Sequence, residues 1–448
     1  MNNSKLIDKI EDECGVFGIL GGEILDISSL LYNALNALQH RGQESCGIAV
    51  ANSDNISCYK GMGLVSNVFN KENFRGITGN SAIGHVRYST CGDSNIINVQ
   101  PIINGSIAIA HNGNLTNAKE LRANLEAKGA RFNTTTDSEI ILKLIENSKC
   151  ETLEDAILEV MKQIDGGYSV LLYTGEKLFG FRDTKGIRPL CIGTLNNSFV
   201  LSSESCALDS IKADLIRDVH PGEIVTIDST GMKSRNYCKK FKHSICAFEY
   251  IYFARSDSVI DSVSVYQSRI NAGRALWDEC PTEADIVIGV PHSGILSAIG
   301  FAKSSSIPYD VGFEKNEYVG RTFIEPSKKI RQANLELKLN VIKDSVKNKR
   351  VIVVDDSIVR GTTSKRIVQL LRIAGAKEIH FRAASPIIKY SCFWGINTSN
   401  SHELVGSRYS IDEIKDIIGA DSLQYLSIEG LLKSIGKKED ICLQCFMK

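Results

Sequence analysis

Two adjacent carboxylates, Asp355 and Asp356, stand a few residues ahead of Arg360-Gly361-Thr362-Thr363-Ser364. Free backbone N–H groups and hydroxyls at a helix N-terminus can cradle a phosphate, and Gly361 lets the backbone come close. The carboxylates would repel that phosphate. They suit sugar hydroxyls, or a hydrated Mg²⁺ that neutralises a second phosphate group. Two further features carry possible chemistry. Cys14 sits at the mouth of a strand-like run, where composition alone reads it as a small core residue. Cys442-Leu443-Gln444-Cys445 is a C-x-x-C pair, which alone permits zinc, a redox pair or no function.

The elements that must hold these groups are legible in outline. Val351 to Val354, after the charged Lys349-Arg350, has the composition of a buried parallel strand, and ligands bind beyond the carboxyl ends of such strands. Arg360 to Ser364 then supplies a turn and a helix start. Glu13 to Leu20 alternates like a strand, Leu38 to Ser45 closes an amphipathic helix, and Ile83 to Thr90 reads as a half-buried strand. Ala108 to Leu115 reads as a strand running into a polar turn at Asn112-Gly113. A helix is expected around Leu153 to Ile164. Gly231 to His243, with Lys239, Lys240 and Lys242, reads as a polar interdomain link. Ala284 to Val290 is a strand with the loop Pro291-His292-Ser293-Gly294 after it. Lys315 to Arg331 is long and charged, suited either to a lid over a reactive centre or to a solvated connector.

With 448 residues the chain should hold two or three domains. A net charge of zero favours neither nucleic acid nor an anionic membrane as partner. Apolar runs fall short of the ~18 residues of a membrane span, and the polar residues 1–13 do not form a signal peptide, so a soluble cytoplasmic protein is expected. Thirteen cysteines scattered over so long a chain suggest reduced thiols, a catalytic cysteine or metal ligands.

Jointly, Cys14 to Leu20, Leu38 to Ser45, Ile83 to Thr90, Ala108 to Leu115 and Asp137-Ser138-Glu139 resemble the glutamine amidotransferase branch of the N-terminal-nucleophile hydrolases. Val351 to Ser364 resembles the phosphoribosyl pyrophosphate (PRPP) signature of the type I phosphoribosyltransferases. The resemblance implies a two-domain chain of α/β and α+β class. An αββα sandwich over residues 14–240, behind a cleaved leader of residues 1–13, would precede an α/β domain with a parallel sheet over residues 241–448. In that order the halves resemble the glutamine-dependent phosphoribosyltransferases. The implied reaction converts PRPP, glutamine and water to 5-phosphoribosylamine, pyrophosphate and glutamate, the first committed step of de novo purine synthesis.

Residue by residue, the resemblance implies Cys14 as nucleophile, with Asn112 and the Gly113 N–H as oxyanion donors. Arg87 would hold the glutamine α-carboxylate and Asp137 the α-ammonium, with His85, Thr90 and Arg41 close by. Asp355, Asp356, Ser357, Arg360, Gly361, Thr362, Thr363 and Ser364 would bind PRPP, with Arg321 from the lid. Ser293, Asp355 and Asp356 would serve Mg²⁺. His292 stands where many relatives carry Asp, and Cys46 where alanine is usual. Cys246, Cys392, Cys442 and Cys445 match the ligands of a [4Fe-4S] cluster, with structural Zn²⁺ as the alternative. Relatives are often homotetramers inhibited by purine nucleotides. Two other readings compete: a PRPP-sensing regulator, for which no DNA-binding module is found, and a sugar-phosphate aminotransferase, against which the Asp355-Asp356 run speaks.

Overall fold

The computed structural model describes residues 14–22, 26–52, 55–69, 74, 77–88, 93–237, 243–316, 339–395, 401–437 and 439–447. The expected leader, Thr90, Arg321 and the lid segment from residue 317 onward lie outside them.

Two antiparallel sheets face each other in the first half. One runs Asp214–Asp218, Cys191–Leu195, Ser198–Ser202, Gly15–Gly21, Ser81–Arg87, Ser45–Asn52, Asn55–Met62. The other runs Gly231–Asn236, Glu223–Asp228, Leu178–Arg182, Gly166–Tyr173, Ile107–Leu115, Ile102–Asn104. Alternate residues decide the layering, because successive side chains of a strand point to opposite faces. Val16 and Leu20 meet Ala108, Ala110 and Leu171 between the sheets. Phe17 and Ile19 point outward, under the helix Ile27–Ala37. On the far side the helices Ser138–Glu146 and Leu153–Met161 cover Ile109, Val170 and Leu172. The result is the αββα sandwich expected.

Three local expectations change. Ser81–Arg87 is buried along its whole length rather than half-buried, because it is a central strand covered on both faces. Asn112-Gly113 is not a turn: the strand continues through it, pairing Asn112 with Ser169 and Gly113 with Tyr168. Gly231–Asn236 is an edge strand paired with Glu223–Asp228 rather than a linker. Its exposed, polar face is what made it read as a link.

The second half carries a four-stranded parallel sheet, ordered Ile286–Gly289, Arg350–Asp355, Glu378–Ala383, Ser422–Tyr425. The run Val351 to Val354 is fully buried, as its composition required, with Val351 and Val353 facing one core and Ile352 and Val354 another. Buried contacts join the halves. Arg182 donates bidentately to Asp261 at 2.9 and 3.0 Å.

Candidate active sites

Cys14 stands directly before Gly15, the first residue of its strand, which pairs with Val86. Its thiol donates to the Tyr88 carbonyl at 3.3 Å, and burial pushes the thiol up to about 11, against the pull of the Arg87 charge. Arg87, Glu44 and Asp137 all act electrostatically on this sulfur, so the fold brings together groups far apart in the chain.

The second sheet reaches the site through His85 and His111. His85 Nε2 and the His111 carbonyl lie 3.1 Å apart, and the next residue along that strand is Asn112. Asn112 is fully buried, yet neither its Oδ1 nor its Nδ2 has a hydrogen-bond partner among the described residues. An unmet buried amide costs about 1–3 kcal/mol, so keeping one here asks for a role beyond packing. Gly113 follows at φ +142, and a Cβ there would strike the Gly167 carbonyl. Only glycine fits this close strand approach.

Asp137 precedes the helix Ser138–Glu146. Its Oδ2 accepts from the Leu115 N–H at 2.8 Å, and its Oδ1 lies 3.8 Å from His111 Nδ1. Burial lowers His85 to about 3 and also lowers His111, so both rings are neutral near pH 7. Arg87 pairs with Glu44 at 2.6 Å, a partner that sequence reasoning did not name. Arg41 Nε donates to the Cys14 carbonyl at 3.0 Å.

The second site lies at the carboxyl end of Arg350–Asp355. Asp355 Oδ1 accepts from the Asp356 N–H at 2.9 Å. Asp356 accepts from the Ser293 hydroxyl at 2.5 Å and from the Ser357 hydroxyl at 2.7 Å. The loop Pro291 to Gly294 is therefore drawn against the carboxylates, and Val290 N–H bonds to the Val354 carbonyl at 2.9 Å. Gly361, at φ +80, caps the helix Thr362–Ile373, while Ser364 is buried in its first turn. Arg360 pairs with Glu403 at 3.1 Å. Two buried carboxylates beside hydroxyls are hard oxygen donors of the kind Mg²⁺ takes.

The four named cysteines also converge. Cys246 and Cys442 are register partners in a short parallel pair, and Cys392 and Cys445 act electrostatically on Cys246. Burial raises the thiols of Cys246, Cys442 and Cys445, and each is raised further by its neighbours. Soft sulfur donors, two of them buried and the other two, Cys392 and Cys442, half-buried, suit an iron–sulfur cluster or zinc. Among the described residues, no group of three or more His, Cys, Asp or Glu side chains has metal-holding geometry.

Glu44, Glu204, Glu249 and His111 were not singled out from sequence. Glu249 carried one available signal, a lone charge inside the apolar run Cys246 to Phe253. It is wholly buried.

Comparison with known proteins agrees with the two-domain fold. Residues 85–210 match the glutamine amidotransferase domain model, and residues 270–384 the phosphoribosyl transferase domain model. The chain is 46% identical to the amidophosphoribosyltransferase of Bacillus subtilis, over 98% of this chain and 94% of the relative. It is 45% identical to that of Archaeoglobus fulgidus, over 96% of each. A solved structure of the B. subtilis glutamine PRPP amidotransferase, complexed with ADP and GMP, superposes with TM-score 0.91 at 45% identity, covering 97% of this chain and 96% of that one.

Proposed function

The chain belongs to the amidophosphoribosyltransferase family, and from that premise we propose how its two sites divide the reaction. The enzyme is a glutamine-dependent phosphoribosyltransferase of the first step of purine biosynthesis. Residues 1–13 are removed, so that Cys14 acquires a free α-amino group of pKa about 8. That amine takes the thiol proton, and the sulfur attacks the glutamine side-chain carbonyl. The oxyanion accepts hydrogen bonds from Asn112 Nδ2 and the Gly113 N–H. Ammonia leaves with the proton, and water hydrolyses the thioester to glutamate. Arg87 holds the substrate α-carboxylate, exchanging part of its pairing with Glu44, and Asp137 holds the α-ammonium. His85 and Thr90 shape the same pocket. The observation that carries this reading is the buried Asn112 amide, which has no partner among the described residues.

In the domain of residues 241–448, Asp355 and Asp356 accept from the ribose hydroxyls, and Ser357 and Arg360 to Ser364 take the 5-phosphate. Arg321 contributes from the lid. Ser293, Asp355 and Asp356 would hold Mg²⁺, which when bound neutralises the departing pyrophosphate. Ammonia passed inward from Cys14 attacks ribose C1 as the C1–O bond to pyrophosphate breaks. Cys246, Cys392, Cys442 and Cys445 would hold a [4Fe-4S] cluster, or zinc, tying the chain end to the junction. Purine nucleotides inhibit a homotetramer in the cytoplasm; the ADP and GMP in the B. subtilis complex support the inhibition.

Protein purified without oxygen and supplied with glutamine, PRPP and Mg²⁺ should release glutamate and pyrophosphate in equal amounts. Intact mass should show a chain starting at Cys14, and the solution should be brown. Absence of both products from a processed chain would overturn the reading.

A further inference from the structure

Arg41 is a buried cation shared between the nucleophile and both halves of the molecule. Its Nε donates to the Cys14 carbonyl at 3.0 Å, and its Nη1 reaches Glu204 at 2.5 Å. Nη1 and Nη2 also donate to Glu249, at 2.9 and 2.8 Å. All three side chains are excluded from solvent. Glu204 is further held by His40 at 2.7 Å, the Arg255 N–H at 3.0 Å and the Ser258 hydroxyl at 2.6 Å. Burial alone would raise the Glu204 carboxyl, but His40 and Arg41 hold it well below the usual range.

Glu249 opens a π-helical turn, Glu249–Phe253, a geometry that is rare and found mostly at functional sites. The carbonyls of Tyr250 and Ala254 accept from Arg269 at 2.8 and 2.7 Å. The Arg269 carbonyl in turn accepts from Ser297, at 3.1 Å, on the helix that follows the Pro291 to Gly294 loop. Burial lowers Arg269, and the Asp356 carboxylate is the foremost charge opposing that. Fixed contacts therefore run from the carbonyl of the nucleophile to the helix that follows the Pro291 to Gly294 loop.

We propose that Arg41 is a positioning residue for the Cys14 nucleophile, and that Glu249 is the anchor through which the second half sets it. The guanidinium fork makes these four bonds from three nitrogens in one rigid plane, a spread that the single nitrogen of an ammonium cannot reproduce. Its angle at Cys14 is thus fixed by where the π-helical turn holds Glu249. The inference rests on Cys14 being the glutamine nucleophile.

The test compares Glu249→Gln with Asp261→Asn in the processed full-length enzyme. Asp261→Asn breaks the buried Arg182 pair, another contact between the halves. E249Q should lower kcat for glutamine hydrolysis about tenfold or more, with KM for glutamine moving less than about threefold. Its transfer of free ammonia to PRPP should stay within about twofold of wild type. D261N should leave kcat for glutamine near wild type. Equal losses in the two variants, or in glutamine and ammonia reactions, would overturn the proposal, as would an unchanged E249Q. If E249Q is not recovered folded, Arg41→Lys is read by the same criteria. A wild type that transfers ammonia but cannot hydrolyse glutamine sinks the Cys14 reading as well.

Discussion

The two proposed sites face the same problem, holding a polar substrate in place, and their side chains are arranged in opposite ways. The Cys14 site sits where two sheets meet, and it keeps buried groups without partners among the described residues: Asn112, His85 Nδ1 and His111 Nε2. The Asp355 site lies on loops beyond a parallel sheet, where Asp356, Ser293 and Ser357 satisfy one another. The difference teaches where each site keeps its strain. The first is built around unmet demand that substrate can answer, and stability suffers for it. The second satisfies its own polar groups, and under the proposed function it would exchange internal bonds for substrate bonds.

The largest test separates the sites outright. Cys14→Ala should abolish glutamine-driven transfer, by about 10³-fold or more, while free ammonia still drives transfer at the second site. Loss of both in the variant would mean the sites are not independent. Stopped assays of pyrophosphate release, with glutamine or ammonium as donor, decide it.

Next comes the claim of unmet demand. Asn112→Leu replaces the amide with an apolar group of similar shape. It should cost about 10²- to 10³-fold in kcat for glutamine yet raise stability by about 1 kcal/mol, because an unsatisfied buried group is removed. Ser293→Ala at the second site should do the reverse to stability. It leaves the buried Asp356 short of a donor, for a loss of about 1–2 kcal/mol. Denaturant midpoints for the two variants should move in opposite directions. If both fall, the contrast between the sites is wrong.

The contrast also explains what could be read from sequence. The second site is one run, Val351 to Ser364, whose strand, carboxylates, turn and helix start are contiguous. Local composition therefore states most of it, and the strand and the cap at Gly361 fall where expected. The first site is assembled from strands and a helix spread over more than a hundred residues. Its members read singly as core, surface or turn, and were recognisable only as a set. Strand pairing across the chain made Asn112-Gly113 extended and buried Ser81–Arg87 on both faces. No local pattern reports that Arg87 meets Glu44, or that Arg41 meets Glu249 some 208 positions on. Those contacts are products of packing, and packing is where a period of two or 3.6 is silent.

The smallest effect is a matter of pH, and it bears on the same contrast. His85 is wholly buried and its folded pKa is about 3, against about 6.5 for an unfolded imidazole. Between those values the unfolded chain binds a proton that the folded chain refuses. Stability from this residue is therefore complete above about pH 6.5 and is lost as pH falls toward 3. From pH 7 to pH 5 the loss is about 2 kcal/mol, and His111, shifted the same way, adds to it. The second site holds no buried histidine among the described residues, so the sandwich should loosen first. Hydrogen exchange at pH 5 should accelerate along Ser81–Arg87 and Ile107–Leu115 before Arg350–Asp355 responds. His85→Gln should flatten that pH dependence. An unchanged slope in the variant, or a parallel sheet that opens first, would show that the unmet groups at the Cys14 site are not where the molecule is weakest.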